Sequence, residues 1–116
     1  MSVTVTFLGH SGFHIDSGEH AVVIDPFLSG NGLAKHRPAD IRCDAVLLTH
    51  GHQDHIADAE AIAKNNDAPI YGVFELCNYF AGKGCKTEPG NPGGQINTDF
   101  GYVAFTHAFH SSSFDG

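Results

Sequence analysis

Positive charge is scarce in this 116-residue chain: six Lys and Arg stand against thirteen Asp and Glu, for a formal net charge of −7. The six are scattered, whereas a nucleic-acid surface needs a basic stripe or patch, so no nucleic-acid partner is expected. No apolar run approaches the roughly 20 residues that cross a bilayer, and no membrane partner is expected either. A secretory leader is not visible, because residues 2–8 already alternate in the manner of a strand. Cysteine is sparse: Cys43, Cys77 and Cys85 are odd in number and show no C-x-x-C spacing. They read as reduced core thiols, which suits a cytoplasmic protein. Internal repeats and low-complexity tracts are absent.

The hydrophobic content, 41%, is that of an ordinary globular protein. The length allows one domain, or part of a larger one, over residues 1–116. Histidine is the residue in excess. Nine of them against six Lys and Arg point to metal or pH chemistry more than to charge steering.

The chain is arranged around Thr49-His50-Gly51-His52-Gln53-Asp54-His55. This string follows the apolar run Ala45–Leu48, which reads as a buried strand, and precedes Ile56–Asn66, which reads as a helix. At a strand end, residues two apart point to the same side, so His50 and His52 can converge on one ion. Asp54 and His55 follow where the chain turns, free to aim at a neighbouring point. An imidazole pair for one ion and a carboxylate–imidazole pair for another suit zinc, manganese or iron.

Elsewhere the pattern is of alternating strands and helices, an α/β layered fold with a mixed sheet. Val3, Val5 and Phe7 give the first strand one apolar face. Phe13–Ile15 and Ala21–Ile24 read as two more strands, the latter ended by Asp25-Pro26. Residues 27–44 form a long connection, expected to wall the site. After the motif helix, with Ile56, Ala59 and Ala63 on its inner face, come a strand at Pro69–Val73 and a helix at Phe74–Ala81. A strand is expected at Cys85–Thr87, a loop at Glu88–Gly94 and a last strand at Phe100–Phe109.

Phe7-Leu8-Gly9-His10-Ser11, residues 24–31 (Ile-Asp-Pro-Phe-Leu-Ser-Gly-Asn), the His50–His55 string, Gly93-Gly94 and Ala108-Phe109-His110-Ser111-Ser112 occur in this order. Together they resemble the metallo-β-lactamase superfamily, in its branch of cytosolic metal-dependent hydrolases related to ascorbate-phosphate lactonase. The resemblance implies an αββα sandwich with one or two divalent metals, zinc or manganese, at one sheet edge. It implies that His50, His52 and His110 bind the first metal and Asp54 and His55 the second. A hydroxide shared by the metals would then attack a small ester, lactone or phosphoester, with Asp54 as the catalytic carboxylate that orients it. His10 is expected beside substrate or behind a ligand, with simple packing at the strand end as the equal alternative, and Asp25 as an acceptor fixing a ligand histidine. His107 reads as structural, and His14, His20 and His36 as surface residues. The family's second half, with a bridging aspartate and a last histidine, finds no counterpart here, so the sequence reads as the N-terminal half of such an enzyme. The alternative is a non-catalytic metal-binding half that needs a partner chain, possible as a homo-oligomer, or a missing C-terminal segment. Gln53, between His52 and Asp54, disfavours a di-iron redox protein.

Overall fold

The computed structural model describes residues 2–111. Six strands form one sheet: β1 (Thr4–Phe7), β2 (Phe13–Asp16), β3 (Ala21–Ile24), β4 (Ala45–Leu47), β5 (Ile70–Val73) and β6 (Thr87–Gly90), in that spatial order. The first two pairings are antiparallel and the next three parallel. This is the mixed sheet expected from a strand-after-strand opening followed by strand–helix alternation. The helices are α1 (Gln53–Ile56), α2 (Ala59–Asn66) and α3 (Phe74–Ala81), and β7 (Gln95–Thr98) pairs with β8 (Gly101–Ala104) in a separate hairpin.

Residues paired across strands share a face, and the two faces of this sheet differ. On one, Val23, Val46 and Ile70 are fully buried against Ile62 and Ala63 of α2 and Leu76 and Phe80 of α3. Cys43 and Cys77 are buried too, Cys85 is half-buried, and all three are free thiols. Burial pushes the Cys43 thiol up to about 11, so it stays protonated. The other face carries Val5, Phe7, Phe13, Ile15, Val22, Ile24 and Leu47, an apolar set with Val5 and Phe7 59% and 56% exposed. Contiguous apolar faces of this kind are uncommon on the surface of monomeric proteins.

Three expectations need correction. The strand expected at Cys85–Thr87 lies at Thr87–Gly90 instead, because Pro89 sits on the sheet edge, where no ladder donor is required. The expected last strand is the hairpin β7–β8, and residues 105–111 have no regular structure. Phe105 anchors that hairpin: it exchanges backbone hydrogen bonds with Gly93 and Gly94, and its ring fills the space a Cβ on Gly90 would need. The motif helix starts earlier, at Gln53, and breaks at Ala57-Asp58 into α1 and α2.

β1 and β3 both run antiparallel to β2, so the ends of β1, β3 and β4 lie at one edge of the sheet. Ligands of open α/β sheets bind at such carboxyl ends. His10, Asp25 and the Thr49–His55 string all follow directly from these strand ends. Among the described residues, no helix is long and apolar enough to cross a membrane.

Candidate metal centre

Asp25 is the anchor of the site. It is 3% exposed and takes a positive φ of 46°, a backbone state uncommon outside glycine, which turns its carboxylate beneath the motif. Its Oδ1 accepts from the Thr49 amide at 2.8 Å, and its Oδ2 accepts from the Thr49 hydroxyl at 2.6 Å and from His55 Nδ1 at 2.9 Å. With its only proton given to Asp25, the Thr49 hydroxyl can only accept, which it does from His50 Nδ1 at 2.9 Å. Both imidazoles therefore carry their proton on Nδ1 and leave Nε2 as a bare donor of an electron pair. This is the usual way outer partners prepare metal-binding histidines.

Two clusters of bare ligand atoms result. In the first, His52 Nδ1 lies 3.0 Å from His50 Nε2 and 3.2 Å from His110 Nε2, and the three atoms fall within 4.8 Å of one another. Three nitrogens bound tetrahedrally to zinc at about 2.0–2.1 Å would stand about 3.3 Å apart, so the donor set fits a metal. Burial, followed by the nearby His55 and His52, lowers the pKa of His50, while Asp25 opposes the shift. At neutral pH the His50 imidazole is thus uncharged and able to coordinate.

In the second cluster, the half-exposed Asp54 carboxylate has Oδ1 3.7 Å from His55 Nε2 and Oδ2 3.2 Å from His10 Nε2. His10, Asp54 and His55 also fit within the span of a metal-binding trio. His10 has a positive φ of 55°, and its ring meets Phe27 and His55 edge-on at 5.5 and 5.4 Å. Asp25 lies close enough to His50 and His55 to form a third trio, but its oxygens are already taken by Thr49 and His55.

All seven residues singled out in the sequence meet at this edge: His10, Asp25, His50, His52, Asp54 and His55 follow strand ends, and His110 comes from the irregular segment after β8. His107 is exposed and belongs to none of the metal-sized trios among the described residues. Ser111 is exposed, as an open site edge requires, while Ser112 and Ser113 lie outside the described residues. His14, His20 and His36 are half-buried and belong to none of the metal-sized trios among the described residues. His14 Nε2 donates to the Arg42 carbonyl at 2.7 Å, tying β2 to the long connection. That connection reaches the site through Phe27 and lies under the Gly9–His10 turn at Asn31 and Ala34; farther on, Ile41 and Cys43 enter the core. One contributor went unread in the sequence, Thr49. Thr49 carries one signal, a hydroxyl residue directly before the first ligand. A cavity of about 330 Å³ beside Asp16, His20 and Asp44 lies at the opposite strand ends, away from this chemistry.

Residues 5–108 match the family model described as the metallo-beta-lactamase superfamily. A UPF0173 metal-dependent hydrolase of Bacillus velezensis is 45% identical over 109 residues, 94% of this chain and 48% of its own length. The chain thus spans about half the length of the curated relatives it matches. Igni18, a metallo hydrolase of the archaeon Ignicoccus hospitalis, superposes with a TM-score of 0.87 at 33% identity, over 98% of this chain and 52% of its own. CmlA, a diiron beta-hydroxylase of Streptomyces venezuelae, shares the fold at TM-score 0.60 and 18% identity, over 82% of this chain and 22% of its own. Sequence motif, site geometry and these likenesses agree: the chain belongs to the metallo-beta-lactamase superfamily.

Proposed function

We propose that this chain carries most of the metal-binding residues of a cytoplasmic hydrolase acting on a small ester, lactone or phosphoester. The observation that carries the reading is the pair of adjacent clusters, one of three imidazoles and one of a carboxylate with imidazoles, braced by the single buried Asp25. His50, His52 and His110 would hold one divalent ion, zinc or manganese, and Asp54 with His55 a second. When bound, such an ion lowers the pKa of a water molecule to about 7 and polarises the substrate oxygen.

The chain's own residues do the rest. Asp54, whose Oδ1 lies 3.7 Å from His55 Nε2, would orient the nucleophile and take its proton. Oδ2 of the same carboxylate is held by His10 Nε2 at 3.2 Å, which fixes the angle Asp54 presents. Asp25 keeps His55 and, through Thr49, His50 in the one tautomer that leaves Nε2 free. The net charge of −7 and the scattered basic residues favour a small substrate over nucleic acid. The test is an assay of the zinc- and manganese-loaded intact protein on model phosphodiesters, carboxylic esters and lactones. Turnover of at least one class, abolished by chelation and restored by metal, is expected; no turnover of any class by fully loaded protein overturns the reading.

A second reading, a metal-binding half without catalysis of its own, draws on the uncovered sheet face with Val5, Phe7 and Phe13 exposed. At roughly 25 cal/mol per Å² of apolar surface, a wet face forfeits a large part of a net stability of about 5–15 kcal/mol. On that reading the 116-residue chain pairs with itself or with a further segment through this face. Sedimentation of the chain decides it, a stable monomer with multiple turnovers being the contrary result.

A further inference from the structure

Asp58 takes no part in either cluster, yet it is one of only two polar or charged residues buried among those described, at 5% exposure. It occupies the position preceding α2, where an Asp normally accepts from its own helix's first amides. Here it makes no such cap. Its carboxylate is turned instead to a strap some thirty residues away in sequence. Oδ2 accepts from the amides of Leu28 at 2.6 Å and Ser29 at 2.9 Å, and Oδ1 accepts from the Ser29 hydroxyl at 2.6 Å. The Asp58 amide donates to the Pro26 carbonyl at 3.1 Å, closing the clamp.

The strap leads to the second cluster. Phe27 meets the His10 ring edge-on at 5.5 Å, and its carbonyl accepts from Asn31 Nδ2 at 2.8 Å. Asn31 and Ala34 in turn lie under the Gly9–His10 turn so closely that a Cβ on Gly9 would stand 2.9 Å from Asn31 Nδ2 and 3.3 Å from the Ala34 amide. Gly9 also has φ +91°, so both space and backbone demand glycine there. His10, held from one side by Phe27 and from below by this segment, reaches Asp54 Oδ2. We infer that Asp58 is a positioning residue, clamping the 26–29 strap so that Phe27 and Asn31 hold His10 against the Asp54 carboxylate. The inference rests on the reading of Asp54 as the proton-handling group. Asparagine replaces the clamp only in part: its oxygen can take the two amides, but its NH2 group forces the Ser29 hydroxyl from donor to acceptor, and the charge that strengthens all three bonds is lost.

The experiment compares Asp58→Asn and the milder Ser29→Ala in the intact protein, each with and without His10→Ala. Manganese titration reads the two metal sites, and in the zinc form the nuclear Overhauser contact between the Phe27 and His10 rings reads the clamp itself. Outer partners of metal ligands typically account for 10–100-fold in affinity, so Asp58→Asn should weaken the second manganese about tenfold, and Ser29→Ala somewhat less. The first manganese should stay unchanged and the ring contact disappear. With His10 already removed, Asp58→Asn should add less than about twofold, since it acts through that residue. Equal weakening of both sites, a full further tenfold loss without His10, or a retained ring contact overturns the inference. Should Asp58→Asn fail to fold, Ser29→Ala decides by the same criteria. Should the unsubstituted protein bind one manganese only, the two-metal reading fails while the ring contact in both variants still decides the clamp.

Discussion

The two ligand clusters lie side by side but are supported differently. The first draws on rings that pack on one another, with centroids 4.6–4.9 Å apart between His50, His52 and His110, and is hydrogen-bonded to Asp25 by way of the Thr49 hydroxyl. The second contains a carboxylate, lies in direct contact with Asp25 through His55, and has His10 on the far oxygen of Asp54. Neutral imidazoles bind a cation without neutralising it, whereas a carboxylate brings negative charge to the site. On the proposed function, that contrast would divide the labour: holding on one side, proton handling on the other.

The largest expected effect breaks that division at Asp54. Asp54→Asn keeps the volume and loses the charge, so turnover should fall about 10²–10⁴-fold, as for loss of a general base, while the first metal stays bound. Turnover and metal content measured on the same sample check this, and near-normal turnover would show that the carboxylate is not the proton-handling group. Next comes the shared anchor. Asp25→Asn should weaken both metal sites by about 10–100-fold, because Asp25 sets the tautomers of His55 and, by way of Thr49, of His50. Competition with a chromophoric chelator reads both affinities, and loss confined to one site would show that the anchor is not shared. Thr49→Val should be milder and confined to the first site, since it removes the acceptor that orients the His50 Nδ1–H, and at this exposed bond water can replace part of it. An effect on the second site as large as that on the first would show that Thr49 works through the fold rather than through His50.

Much of this arrangement is legible in sequence because its signals are local. The apolar run before the motif, the bounds of β3 at Ala21–Ile24 and those of α3 at Phe74–Ala81 follow from periodicity and from the glycines and prolines that flank them. The meeting of His10, Asp25 and the His50–His55 string follows from their places after strands that end at one edge. What is not legible depends on distant neighbours. Thr87–Gly90 is a strand only because β5 offers it an edge, and Pro89 hides that from any propensity argument. The break between α1 and α2 comes with Asp58 bonding a strap about thirty residues upstream. The first strand's apolar alternation is plain, but which face the helices cover is settled by packing, and they cover the face opposite Val5 and Phe7.

The central claim is that the motif shares its ligands between two adjacent sites, with His110 completing the first. Zinc binding by calorimetry on His50→Ala, His52→Ala, His110→Ala, His107→Ala and Asp54→Asn tests it directly. Each of the first three substitutions should remove one full equivalent of tightly bound zinc, while His107→Ala and Asp54→Asn keep that equivalent. Loss of the same equivalent in His107→Ala, or its survival in His110→Ala, would contradict the account.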